Sequence, residues 1–399
     1  MRTQHTPHFL TAFPVYCSVF LSPTHLVLGG GGGASKTGIK NKLRVYDVAD
    51  NRAITLVDEL QLEPGDDAPM SIAANLETGA FACGVNSPEE QMKKGENQNC
   101  RVFSFNEQKL GLLGTHGTLV SGDLEDYQKV TVLSPDGKFL IAAGTNSLQL
   151  LSFPSLAPAA PLIKTDKEIY DVTFSQNTFV VATTDNLLVY SLPQTKGTGS
   201  PSKTKKKGKQ KENATAISEL ELLRTIDPPA AVSGASGSTF RAARYHPEKP
   251  GVLYTVGNTI PGRSRTRKAP PRQAYVCKWN TETWAVDKVR KVADKGLTCF
   301  DVSPNGKLLA FGTSEHVVGI IDAETLAPLV TILKAHEFPP TTIKFNPTSR
   351  LLVSASADNS IRVISVPDSA EKSSWGLLIL ILITLLIALL AFVAQQYAS

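Results

Sequence analysis

Apolar positions along most of this chain come in short runs bounded by Ser-Pro, Asn-Pro and Gly turns. Such runs predict strands rather than helices. One plan recurs. Leu133-Ser-Pro-Asp-Gly-Lys-Phe-Leu-Ile-Ala-Ala-Gly returns as Val302-Ser-Pro-Asn-Gly-Lys-Leu-Leu-Ala-Phe-Gly and again as Phe345-Asn-Pro-Thr-Ser-Arg-Leu-Leu-Val-Ser-Ala-Ser. Weaker copies begin near Phe20, Ile72, Phe174 and Tyr245, which makes seven. Each copy has a strand, a turn, a short apolar strand, a third strand and a more polar fourth. Four strands per unit at a period of about 40 residues predict the blade of a β-propeller. The Trp-Asp dipeptide common in such repeats is missing, so the copies are divergent WD repeats.

The seventh copy stops after its third strand, at Val366, while Met1 to Leu10 belong to no copy. The N-terminal stretch is therefore expected to supply the missing outer strand, which closes the ring and removes an exposed edge. Strand direction alternates within a blade, so every loop between strands two and three lies on one face, the top. Three insertions fall there: Gly29 to Asn41 in blade one, Asn86 to Asn99 in blade two and Gly257 to Gln273 in blade five. A fourth, residues 193–217, joins strands three and four of blade four. It belongs to the bottom, and its Lys, Ser, Thr and Gly composition predicts disorder.

The pattern changes abruptly at the end. Gly376 to Ala394 is uncharged and strongly apolar, with Thr384 its one polar side chain. As a helix it would extend roughly 28 Å, and Trp375 and Tyr397 flank it where interfacial aromatics belong. The reading is an all-β, seven-bladed propeller over residues 1–366, a linker at 367–375, a single transmembrane helix at 376–394 and a short lumenal tail at 395–399. Lys372 and Arg362 on the N-terminal side put the large domain in the cytosol. So short a span suits the thinner bilayer of the endoplasmic reticulum. No signal-peptide pattern precedes the propeller.

Charge adds little to this picture. The formal net charge of +5 comes from two local spans, six lysines in Lys203 to Lys211 and five basic residues in Arg263 to Arg272; without those eleven the body carries 5 − 11 = −6. A basic face for nucleic acid is not supported. Five widely spaced cysteines without a C-x-x-C pair read as reduced structural thiols. None of the seven histidines has metal-ligand spacing, and His246 and His336 sit at blade corners, which favours structural roles. Asp47, Asp171, Asp301 and Asp322 sit at strand ends or repeat-equivalent positions and read the same way.

One stretch resists a purely structural reading. Gly29 to Gly33 are five consecutive glycines, followed by Ala-Ser-Lys-Thr-Gly38-Ile39-Lys40-Asn41. Such a run costs backbone entropy, and a hairpin needs only one or two glycines. It implies positive φ angles or close approach by a neighbour; a floppy turn is the competing reading. The run nearly fits the phosphate-binding pattern G-x-x-x-x-G-K-[ST], but Ser35 replaces the second glycine and a β-type run follows instead of a helix. Nucleotide binding by this loop is not expected.

A seven-bladed propeller, a C-terminal membrane anchor, the blade-one glycines with Gly38-Ile39-Lys40-Asn41-Lys42-Leu43, and Ala335-His336-Glu337-Phe338 before blade seven together resemble one family. It is the family of endoplasmic-reticulum exchange factors that act on the small GTPase initiating COPII coat assembly; an animal relative is called prolactin regulatory element-binding protein. The resemblance implies guanine-nucleotide exchange without covalent chemistry, a GTPase partner, the endoplasmic-reticulum membrane, and neither nucleic acid nor a small-molecule substrate. It also implies that the blade-one loop holds a potassium ion, with Gly31, Gly32, Gly33, Gly38 and Asn41 as its ligands, and acts on the GTPase through Gly38, Ile39 and Asn41. Lys40 stands where fungal members typically carry proline. The roles are chemically reasonable. Backbone carbonyls suit a hard monovalent cation, Asn41 tolerates left-handed geometry and offers an amide oxygen, and Ile39 reads as an exposed apolar tip awaiting a partner. Two alternatives stay open: a membrane-tethered scaffold without exchange activity, and a promoter-binding regulator using Arg263 to Arg272.

Overall fold

The computed structural model describes residues 4–34, 37–119, 123–193, 219–233, 237–261, 272–367 and 382–384. Among them are seven antiparallel four-stranded sheets, each one blade of a ring. Blade one comprises Val15–Phe20, His25–Gly30, Lys42–Val48 and Ile54–Gln61. Blade seven is the exception to sequential order. Its inner three strands, Pro340–Phe345, Leu351–Ser356 and Ser360–Ser365, are completed by the N-terminal strand His5–Phe9, with His5 opposite Ile364 and Phe9 opposite Ser360. The expected ring closure is thus present. Arg52 of blade one reinforces it by donating to Gln4, Thr6 and Ser365.

The strand patterns follow from where each strand lies. Second strands pack between two neighbouring blades and are buried on both faces, as in Ala80–Gly84 and Leu308–Thr313. Fourth strands lie on the rim, and Leu222–Ile226 is almost wholly exposed. Because side chains alternate across a strand, one strand serves two interfaces. Leu26 and Leu28 pack toward blade seven, against Val353 and Ile361, while Val27 packs toward blade two, against Phe81 and Phe103. Seven apolar clusters result, one between each pair of neighbouring blades. All five cysteines are free thiols, and burial raises their pKa, Cys100, Cys277 and Cys299 to about 12.

Inner strands carry inter-blade polar ties. Asp171 of blade four accepts the guanidinium of Arg244 and the Ala243 amide in blade five. Asp301 of blade six accepts Lys344 at 2.9 Å and the Phe345 amide in blade seven. The structural reading of both carboxylates is supported.

Residues 194–217 of the lysine-rich insertion, most of the basic stretch 263–272 and the apolar segment 376–394, save 382–384, lie outside the described residues. Residues 382–384 are helical. Among the described residues no helix is long and apolar enough to cross a membrane.

Candidate functional site

The blade-one excursion, residues 31–41, rises from the top face between strands two and three. Its glycines divide into two groups. Gly29 and Gly30 belong to the second strand, opposite Leu43 and Lys42. Gly31, Gly33 and Gly38 take φ angles of +141°, +70° and +79°, a region that strains residues with a Cβ. The glycine bed is also a matter of space. A Cβ on Gly31 would fall 2.6 Å from the Asn41 Cα and 2.7 Å from the Lys40 carbonyl oxygen; on Gly32 it would fall 2.9 Å from the Ile39 carbonyl oxygen and collide with the Thr37 hydroxyl. The loop therefore folds back on its own start, which rules against a floppy turn. No helix follows it, and the phosphate-loop pattern fails as its context predicts; Ser35 and Lys36 lie outside the described residues.

Asn41 is the fastener. Its Oδ1 accepts the Gly33 amide at 2.9 Å, and its Nδ2 donates to the Gly33 carbonyl at 3.0 Å and the Asp66 carbonyl at 2.7 Å. One side chain thus pairs with both backbone groups of Gly33 and reaches the loop leaving blade one. Asn41 is absent from the positive-φ residues; its value lies in its amide, not in left-handed tolerance. Ile39 also departs from expectation. It is half-buried, with its Cβ over Gly32, whereas Thr37, Gly38 and Lys40 are exposed. The apolar tip folds onto the glycine bed because part of its surface is hidden there more cheaply than in water.

Sequence reasoning missed the brace behind Asn41. The Asp66 carboxylate is buried and accepts a bidentate pair from Arg101 of blade two, at 2.6 and 2.7 Å. Such fork-to-fork pairs are geometrically demanding. Arg101 also donates to the Gln98 carbonyl at 3.2 Å. Blade two's own insertion is held by Asn97, which donates to Asn86 at 3.1 Å and accepts the Ser87 amide, and by Asn99, which donates to Thr118 and Gln128. The available signal was Gly65-Asp66-Asp67 directly after an outer strand, since that connection emerges on the same top face.

Oxygen atoms dominate the inside of the loop. The Thr37 hydroxyl, the Ile39 and Lys40 carbonyls and the Asn41 amide oxygen all crowd the side of Gly31 and Gly32 where side chains are missing, and Asp67 Oδ1 lies beside Gly33. This donor set, mostly neutral and entirely oxygen, fits a hard cation. Gly31, Gly32, Gly33 and Asn41 come together, while Gly38 stands apart at the exposed end, with nothing within 4 Å of where its Cβ would be. Among the described residues no group of three or more His, Cys, Asp and Glu side chains is placed to hold a metal.

The corner histidines are structural. His336 is buried, with Nδ1 2.7 Å from the Ser360 hydroxyl and Nε2 2.8 Å from the Ser354 hydroxyl. Asp358 accepts Ser360 Oγ at 2.6 Å and the Glu337 amide at 2.6 Å. His246 accepts the Glu248 and Lys249 amides through Nδ1.

Comparison with known proteins agrees with this geometry. The family model described as WD domain, G-beta repeat matches residues 327–365, the stretch that contains the His336 corner. A protein from Candida glabrata named guanine nucleotide-exchange factor SEC12 is 26% identical over 93% of this chain and 74% of its own. The mouse protein of the same name is 24% identical over 95% of this chain and 96% of its own. A Saccharomyces cerevisiae protein named putative guanine nucleotide-exchange factor SED4 is 22% identical over 92% of this chain, which spans only 32% of it. Among solved structures, the crystal structure of Chaetomium thermophilum Raptor superposes with a TM-score of 0.62 at 13% identity, over 92% of this chain and 29% of that one; it speaks to fold alone.

Proposed function

We propose that this chain is a guanine-nucleotide exchange factor for the small GTPase that initiates COPII coat assembly, held at the endoplasmic-reticulum membrane by residues 376–394. The observation that carries the proposal is similarity along nearly the whole chain to relatives named guanine nucleotide-exchange factors, end to end in the mouse case. The braced blade-one loop supports it, because exchange needs a firm element to press on a partner. An exchange factor breaks no covalent bond. It binds the nucleotide-free GTPase more tightly than the loaded form, and that difference expels nucleotide. Gly38 and Ile39 would make the contact, Gly38 through exposed backbone and Ile39 through its uncovered apolar surface. Asn41 would keep the loop in shape.

A potassium ion would be held in the same loop by the carbonyls of Gly31, Gly32 and Gly33 and the Asn41 amide oxygen, with Gly38, which stands apart at the exposed end, left out of the set. Bound there, it supplies a positive charge that draws the carbonyls together. The chain's own part is to present those oxygens without intervening side chains. The third strand of blade seven runs from top to bottom, so the chain leaves the propeller opposite the blade-one loop. This orientation turns the loop toward the cytosol.

The test is GDP release from the GTPase, followed by fluorescence, with the full chain in detergent or liposomes. Acceleration that is strong in potassium and weaker in sodium or lithium at equal ionic strength is expected. A chain that binds the GTPase without accelerating release would support the scaffold reading instead. Equal rates in the three salts would remove the ion.

A further inference from the structure

The central channel, away from the blade-one loop, holds a second feature. Five of the inner strands each insert one extra residue near the top, between Val15 and Cys17, Ile169 and Asp171, Phe240 and Ala242, Leu297 and Cys299, and Pro340 and Thr342. A bulge of this kind re-aims a side chain. The inserted residues are Tyr16, Tyr170, Arg241, Thr298 and Thr341, and all five line a cavity of about 660 Å³. That volume suits a small organic ligand.

The two threonines are committed to the wall. Thr298 Oγ1 donates to the Pro340 carbonyl and Thr341 Oγ1 to the Val15 carbonyl, both at 2.7 Å, each tying its blade to the next. Arg241 also reaches the next blade, but through one of its several donors. Its guanidinium lies 4.8 Å from the Tyr170 ring centroid and gives one hydrogen bond, to the Thr298 carbonyl at 3.2 Å. Lys129 lies over the same ring at 5.4 Å. The other cations lining the cavity each have a carboxylate: Lys129 has Glu168, Arg244 has Asp171 and Lys344 has Asp301. Arg241 alone has none among the described residues. A half-buried guanidinium with several free donors, steadied by an aromatic ring beside a second cation, is arranged to receive an anion in bidentate fashion.

We propose that the top of the channel binds a phosphate group carried by a small molecule, with Arg241 as the principal ligand, Lys129 as the second charge and Tyr170 as the platform that orients both. Phosphate fits better than carboxylate because two of its oxygens can engage the unpaired Arg241 guanidinium while a third reaches Lys129, whose own charge is balanced by Glu168. The cavity, about 660 Å³, has room for the organic part.

Isothermal titration of the full chain in detergent tests this with two probes, inorganic phosphate and fructose 1,6-bisphosphate. Saturable binding of both is expected, tighter for the organic phosphate. Arg241→Gln should weaken it by about tenfold, the loss of one charge-assisted bidentate contact. Lys129→Gln should weaken it less. Arg290→Gln, on the exposed rim, should leave it unchanged. Circular dichroism melting checks that each variant is folded, and the Lys129 variant decides the matter if Arg241→Gln does not fold. Absence of saturable binding of either probe to the wild-type chain overturns the proposal, as does equal affinity in the folded Arg241 and Lys129 variants. Binding of inorganic phosphate alone restricts the site to a free ion and overturns the claim of an organic ligand.

Discussion

The corner between strands two and three is built in two opposite ways in adjacent blades. In blade seven it is the short turn between Ser356 and Ser360, and it is locked by side chains. His336, Ser354, Asp358 and Ser360 hold one another in a buried network. In blade one it is the eleven-residue excursion 31–41, and backbone dominates. Glycines let the chain fold on itself, and a single amide, Asn41, pins the result to Gly33 and Asp66. The first design commits the side chains of His336, Ser354, Asp358 and Ser360 to one another. The second leaves part of Ile39 uncovered. One topological position is thus a corner locked by side chains in one blade and a backbone-built excursion in the next.

The contrast has measurable consequences. The largest concerns blade seven's outer strand. Deleting residues 1–10 strips the strand from Ser360–Ser365, exposes an edge and removes Leu10 from the cluster shared with blade one. Aggregation, or a loss of several kcal/mol in denaturant unfolding of the full chain, is expected; an unchanged melting temperature would show that the ring closes without this strand.

His336 comes next. Burial, opposed in part by Asp358, lowers its pKa from 6.5 to about 4. Between those values the unfolded chain binds a proton that the folded chain does not. Stability from this group is therefore complete above about pH 6.5 and is lost as the pH falls toward 4, by up to about 3 kcal/mol. His336→Asn should lower stability at pH 7 by about 2 kcal/mol and flatten the dependence between pH 6.5 and 4. An equally steep profile in the variant would assign the slope to other groups.

A smaller stability effect belongs to blade one. Asn41→Ala removes three hydrogen bonds from a half-buried loop, yet backbone groups freed there can reach water, so only about 1 kcal/mol should be lost. Hydrogen exchange should rise at the Gly33 amide and stay unchanged at the Ser354 amide in blade seven. Loss of protection across both blades would contradict the independence of the two corners.

The frame was legible in the sequence because its signals are local. Turn chemistry repeats at a fixed period, second strands are continuously apolar, and a seventh copy short by one strand points to the unassigned N-terminus. Five glycines announced a tight path, and Gly31 and Gly33 carry it out. What escaped depends on residues distant along the chain. Asp66 meets Arg101 across a blade boundary, so neither position reveals the pair alone. Ile39 reads as exposed from its neighbours, but the fold lays it over Gly32. The bulges at Tyr16, Tyr170 and Arg241 insert one residue each, too little to disturb an alternation already blurred in buried strands. Blade seven keeps a recognisable repeat because its corner depends on specific side chains; blade one's corner is marked by its glycine run instead of by the repeat.

The most direct test of the account is GDP release from the partner GTPase with the full-length Ile39→Ala, Asn41→Ala chain, measured beside its thermal unfolding. If the blade-one loop is the exchange element, release should slow by at least about tenfold, equivalent to 1.4 kcal/mol of lost differential binding, while melting stays close to the wild type. Wild-type release by the folded double variant would contradict it and move the exchange surface elsewhere on the propeller.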